Sequence, residues 1–137
     1  MSAVAGYSGT PLAKKLGIKA GSRVFLQNPP KHYARLVAPL PAGVRMVRSI
    51  SDATDLIHIF ATSRQDLERG LKSAMRLMRP DAAIWVSWPK KSSGVPTDVT
   101  EDTIRDVALP MGLVDVKVCA VDEVWSGLKV VIRKELR

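Results

Sequence analysis

Apolar residues fall along this chain in two rhythms: compact runs bounded by Gly, Pro or Asn, and longer stretches with apolar positions three and four residues apart. The first signal is helical. Thr10 can cap, Pro11 suits a first helical position, LAKKL follows, and Gly17 with Ile18 just beyond it marks a stop. Next comes RVFLQ, residues 23–27, a compact apolar run after the turn Ala20-Gly21-Ser22. It predicts a strand ending at Asn28-Pro29-Pro30, where the prolines lack the amides that a ladder needs. Residues 31–37 predict a brief helix, and after the turn Pro39-Leu40-Pro41-Ala42-Gly43 the run VRMV, residues 44–47, reads as a second short strand.

Residues 55–61, DLIHIFA, are apolar on both faces, as a central strand covered from each side requires. Ser63 can cap a helix running to Met78, with Leu67, Leu71, Ala74, Met75 and Met78 along one face. Arg79-Pro80-Asp81 ends that helix, and AAIWVSW, residues 82–88, is another buried strand with aromatic bulk at Trp85. After the loop PKKSSGVP, residues 89–96, Asp98 can cap a further helix, with Glu101 closing a capping box. Ile104, Val107, Ala108 and Met111 form its inner face, and Pro110 with Gly112 finishes it. Two alternating runs, 114–121 and 127–134, joined by DEVWS, predict an antiparallel hairpin at one edge of a sheet.

This order of elements is an α/β pattern. Right-handed crossovers then favour an open, mostly parallel Rossmann-like sheet with helices on both faces and a C-terminal antiparallel hairpin. At 137 residues, 46% hydrophobic and 25% charged, the chain can bury a core without staples, and no repeat or linker divides it. One domain over 1–137 is expected, with residues 1–20 an arm and short helix laid against the rest. Cys119, the only cysteine, excludes an internal disulfide and reads as a packed thiol in the run VDVKVCAV. The start MSAVAGYSGTP lacks the basic and apolar segments of a signal peptide, and no stretch has the length of a membrane span. A cytoplasmic protein without a membrane partner is the expectation.

YSGTPLAKKLGIK at 7–19, WVSWPKKSSGVPTDVTED at 85–102 and GLVDVKVCAVDEVWSGLKVVIRK at 112–134 resemble, over nearly the whole chain, a small bacterial family known only as a domain of unknown function. The element order in turn resembles the class I methyltransferase fold in abbreviated form. RVFLQ stands for its first strand, DLIHIFA and AAIWVSW for its central strands, and the closing pair for its hairpin. That resemblance implies a place for S-adenosylmethionine, with a glycine-rich turn after the first strand and an acid after the second to bind ribose hydroxyls. Neither stands here. Gln27-Asn28-Pro29-Pro30-Lys31 occupies the first position, Arg48-Ser49 follows VRMV, and Asp52 and Asp55 lie further along. No cofactor is therefore expected.

Open α/β sheets keep a crevice at the carboxyl ends of their strands. The loops that reach it carry Asn28, Lys31, Ser63, Arg64, Trp88, Lys90, Lys91, Ser92, Ser93 and Gly94. Ammonium, guanidinium and hydroxyl groups with a glycine for close approach make a candidate anion site, opposed by the Asp98 carboxylate at the next helix start. The same basic Ser/Gly loop also reads as a solvated connection, since no Walker spacing is present. Trp88 either stacks on a base or covers the sheet end, and Trp125 reads as packing in the hairpin turn.

His58 reads as a hydrogen-bonded core residue, because no HxxH, HExxH or Cys/His cluster accompanies it, and no metal site is expected. Asp122 and Glu123 form an acidic pair with no pocket visible from the sequence. Lys and Arg outnumber Asp and Glu by 21 to 13, a net +8, and basic residues occur all along the chain from Lys14 to Arg133. That excess fits a scattered solvated surface as well as an attraction for anions. With no nucleophile–base pair and no catalytic residue to assign, the sequence points to a non-catalytic binding or interaction module whose partner is an anionic small molecule or a protein. A small transferase using an anionic ligand and a nucleic-acid-associated basic protein are the alternatives.

Overall fold

In the computed structural model, which describes residues 9–137, strands β1 (Arg23–Gln27), β2 (Arg45–Val47), β3 (Leu56–Phe60) and β4 (Ala83–Pro89) run parallel to one another. A closing hairpin of β5 (Leu113–Ala120) and β6 (Trp125–Ile132) pairs through β6, antiparallel to β4. The sheet order is β2-β1-β3-β4-β6-β5. The chain leaves β1 toward one edge and returns to β3 on its other side, so the two crossovers run in opposite directions and their helices fall on opposite faces.

One face carries α3 (Arg64–Leu77) and α4 (Glu101–Ala108), whose Leu67, Leu71, Ala74, Ile104 and Val107 bury against Ile57, Ile59, Ile84, Val86 and Leu128. The other carries α1 (Leu12–Leu16) and the single turn α2 (Tyr33–Leu36), packed over Val24, Leu56, Phe60 and Trp85. No helix of the described residues is long and apolar enough to cross a membrane. Of the expected arm, residues 1–8 lie outside the described residues.

Local signals set most boundaries. Gly17 sits at φ 82°, Gly17 N donates to Lys14 O and Ile18 N to Ala13 O, so the glycine stop of α1 forms as its sequence predicts. Its start differs: Thr10 makes no cap, and Pro11, held extended at ψ 143°, accepts Lys14 N and Lys15 N at the first turn. Ser63 caps α3 by accepting from Asp66 N. The cap expected of Asp98 belongs instead to Thr100, which exchanges hydrogen bonds with Thr103 in a capping box. Asp98 Oδ1 accepts Arg64 N at 2.7 Å, which places that carboxylate at the start of α3 rather than α4. The hairpin strands begin one or two residues earlier than their alternation predicts, so Trp125 and Ser126 lie in β6 and not in the turn.

Two polar side chains tie the α1/α2 layer to the sheet. Trp85, with 0% exposure, donates from Nε1 to Leu16 O at 2.9 Å, holding the end of α1 on the centre of β4. Gly127 on β6 makes room for that indole, since a Cβ there would stand 3.2 Å from Trp85 Cε3. His58 is the buried, hydrogen-bonded core residue its sequence context predicts: Nδ1 lies 3.0 Å from Tyr33 Oη and Nε2 lies 2.7 Å from Ser87 Oγ. A neutral imidazole donates from one nitrogen and accepts at the other, and each hydroxyl takes the complementary role. Burial pushes the His58 pKa down to about 3 and raises that of the Tyr33 hydroxyl.

Two outcomes are expected. Trp85→Phe removes the bond to Leu16 O and part of the ring volume, and should lower unfolding stability by about 2–4 kcal/mol in urea titrations. His58 folds neutral but would bind a proton when unfolded near its ordinary 6.5, so its stabilisation is complete above that pH and is lost as pH falls toward about 3. Between pH 6.5 and 4.5 stability should fall at roughly 1.4 kcal/mol per unit, and His58→Phe should flatten the slope; equal slopes for both proteins would refute the assignment.

Candidate functional site

The topological switch lies between β1 and β3, so the carboxyl ends of these strands are where an open α/β sheet places a ligand. Here β1 ends in Asn28, held at φ 53°, a left-handed conformation that asparagine tolerates better than other side chains. The chain then turns through Pro29 and Pro30, with Tyr33 N donating to Pro30 O as α2 begins. Tyr33 is 4% exposed, its ring edge-on to His58 at 5.4 Å and to Phe60 at 5.7 Å. His58 stacks on Phe60 at 4.3 Å, and Trp125 closes edge-on against Phe60 at 5.1 Å. An aromatic cluster thus lies over the end of β3, and the segment after β1 rests on it.

Above this cluster His32 Nε2 meets Asp122 Oδ2 at 2.9 Å, linking the β1–α2 loop to the hairpin turn across the ends of β3 and β4. Asp122 is 8% exposed, and its Oδ1 accepts Val124 N and Trp125 N while its carbonyl accepts Lys90 Nζ at 2.7 Å. One residue therefore joins three loops, its carboxylate holding the β1–α2 loop and its own turn and its main-chain carbonyl holding Lys90. Neither His32, Tyr33 nor Asp122 was a site candidate from the sequence. The available signal was local: an aspartate two and three residues before Val124 and Trp125 is the pattern of a side chain capping its own turn.

The candidate anion residues divide. Asn28, Lys31, Arg64, Lys91 and Ser92 are exposed. Lys91–Ser93 form a 3-10 turn that ends at Gly94, φ 74°. Lys90 reaches the turn beside Lys31 through Asp122, whereas Ser93 Oγ donates to Lys90 O and accepts Val95 N. Ser63 and Arg64 are joined to the other side of that loop, because Asp98 N and Thr97 Oγ1 donate to Thr62 O and Asp98 accepts from Arg64 N. Arg64 Nε also lies 3.4 Å from Glu68. Trp88 is 8% exposed in the core beneath α3 and α4, and covers the sheet end rather than facing the loops.

Elsewhere, a shallow depression of about 390 Å³ opens at the amino ends of the strands, lined by Lys19, Ser22, Asp55 and Arg79 among others. Arg79 is engaged there by Asp55 and Asp81, each at 2.7 Å, and by Thr54 O. Although burial raises it, the Asp55 carboxyl is held below its ordinary pKa by hydrogen bonds from Arg23 N and Arg79. This ion pair braces the α3–β4 turn against the start of β3. Burial pushes the Cys119 thiol up, against the lowering charges of Lys15 and Lys117. Among the described residues no group of three or more His, Cys, Asp or Glu could hold a metal ion.

The fold is shared with solved methyltransferases. A SAM-dependent methyltransferase from Aquifex aeolicus superposes with a TM-score of 0.64 at 14% identity, covering 89% of this chain and 88% of its own. A chain described as a type 11 methyltransferase from Sulfolobus solfataricus gives 0.63 at 13%, covering 90% of each. Fibrillarin from Aeropyrum pernix, crystallised with natively bound S-adenosyl-L-methionine, gives 0.55 at 11% over 88% of this chain and 72% of its own. At these identities the likeness is one of fold. No curated protein matches in sequence. Residues 43–134, more than half of the chain, match the family described as protein of unknown function DUF3052, and the chain belongs to that family.

Proposed function

We propose that this chain is a non-catalytic binding module built on an abbreviated methyltransferase-like sheet. The observation that carries the reading is the path of the chain after β1: Asn28, two prolines, and then His32 and Tyr33 drawn across the strand ends by Asp122 and His58. S-adenosylmethionine on this fold needs free backbone amides in that turn, an open approach over the neighbouring strand, and an acceptor after β2 for its ribose. Pro29 and Pro30 have no amides, the aromatic cluster stands over β3, and the cation Arg48 follows β2. These residues do not fit the cofactor, and no reaction is derived through it.

Outward at the strand ends stand basic and hydroxylic groups, with Asp98 and Glu68 beside Arg64. Lys31, Arg64, Lys91 and Ser92 are exposed there, with Gly94 allowing close approach of the backbone. Such a surface suits a small anion or an acidic protein segment. Calorimetric titration with S-adenosylmethionine and S-adenosylhomocysteine should give no binding heat up to hundreds of micromolar; micromolar affinity for either would overturn the reading. Titration with inorganic phosphate and a nucleoside triphosphate should give weak binding that drops about tenfold in an Arg64→Ala, Lys91→Ala double variant, as the loss of two charge-assisted contacts requires. An unchanged affinity in that variant would remove the strand-end crevice from consideration.

A further inference from the structure

Although basic residues occur throughout the chain, acidic ones do not: the first Asp or Glu is Asp52. Residues 1–51 hold eight of the 21 basic residues and no acid, while the remaining 13 basic residues are matched by all 13 acids. The entire net charge of +8 therefore arises in the first 51 residues. That segment supplies α1, β1, α2 and β2, which make up the helical layer on one face and the β2 edge of the sheet. Acids of the other layer are engaged locally, Asp66 with Arg69, Glu68 with Arg64, and Glu101, Asp102 and Asp115 with Arg105. The fold thus carries much of that bias to the α1/α2 side of the sheet, while Arg23 and Arg45 alternate to the other side of β1 and β2.

The hairpin extends the basic face by a change of register. Between Asp115 and Lys117 the β5 ladder shifts by one residue at Val116, so Asp115 faces α4 and Arg105 while Lys117 stands directly opposite Lys129. A bulge of this kind re-aims every side chain beyond it. Without it Lys117 would share the face of Asp115; with it, Lys117 and Cys119 turn to the α1 side. Two like charges directly opposite on neighbouring strands destabilise a ladder. Burial, and then the charges of Lys117 and Lys19, pull the Lys129 ammonium below its usual pKa. Among the described residues no acid forms an ion pair with Lys19, Lys117 or Lys129.

We infer that this basic face, centred on Lys19, Lys117 and Lys129 and continuing over α1 and α2, is a docking surface for the phosphate backbone of a nucleic acid. The cations are spread over the layer, from Lys14 on α1 through Lys31 and Arg35 at α2 to Arg48 beyond β2, which suits a ligand of repeating charge better than a single phosphate. A lipid surface fits less well. Membrane binding by a basic face draws on bulky apolar side chains that insert, and here the exposed ones are Leu40 at 37% and Met46 at 43% in the segment and Val116 at 52% and Val118 at 50% beside Lys117, none of them aromatic. The inference stands on charge layout and register, independently of whether the strand-end crevice is closed, so adenosylmethionine titration and nucleic-acid titration can fail separately.

Fluorescence anisotropy of labelled duplex DNA and single-stranded RNA, from about 50 to about 200 mM salt, tests it. The protein should bind with an affinity that falls steeply with salt. A Lys19→Gln, Lys117→Gln, Lys129→Gln variant should bind at least ~10-fold more weakly, with the logarithmic salt slope reduced by about 3. Its melting temperature should stay level or rise, since a cross-strand repulsion has been removed. A Lys72→Gln, Arg76→Gln variant, altered at exposed positions of α3 on the opposite layer, should bind like the parent. Equal weakening by both variants, no binding at the lowest salt, or binding to phosphatidylserine vesicles but not to oligonucleotides would overturn the assignment.

Discussion

Every residue of β3 is buried, on both faces. A central parallel strand of this kind needs a complete layer on each side, because its backbone is satisfied by its neighbours while its side chains have nowhere to go but into protein. On one side α3 and α4 supply amphipathic helices of ordinary size. On the other the chain has α1, five residues long, and α2, a single turn. So little helix cannot cover the strand from a distance. The layer is completed by drawing the segment after β1 down onto His58 and Phe60 through Tyr33, and by bringing Trp125 in from the hairpin.

That solution has a consequence for function. In a dinucleotide- or adenosylmethionine-binding sheet the turn after the first strand stays shallow and glycine-rich so that a ligand can lie above the neighbouring strand. Here the same turn is a structural strut, stiffened by Pro29 and Pro30 and tied by His32 to Asp122. The residues that span the strand ends, His32 and Tyr33, are the ones that hold the thin layer in place.

The charge layout follows a similar division of labour between the two layers. Arg79 and Arg105 gather the acids around them into ion pairs that brace turns and helix starts. The thin layer carries cations without acids of its own, and the bulge at Val116 adds Lys117 to it. Much of the basic excess along the chain thus comes to lie on the α1/α2 side of the sheet. Linear spacing of Lys and Arg conceals this, and the absence of Asp and Glu before Asp52 reveals it.

The sequence by itself determined the elements whose causes lie within a few residues. The glycine stop at Gly17, the serine cap at Ser63, the proline stop after Gln27 and the compact apolar runs of β1, β3 and β4 act through neighbouring amides and side-chain composition, and they were legible for that reason. The core place of His58 was legible too, from its apolar surroundings. Tertiary structure decided what depends on partners distant along the chain: Asp98 capping the helix across the crevice rather than its own, Trp88 turned inward beneath α3 and α4, and His32 meeting an aspartate 90 residues away. It also decided which face Lys117 occupies, because one extra residue in a ladder reverses the alternation and no local rule places that residue. Hydrogen bonds and ion pairs act over a few ångströms, so the sequence can announce only those whose partners the chain itself keeps close.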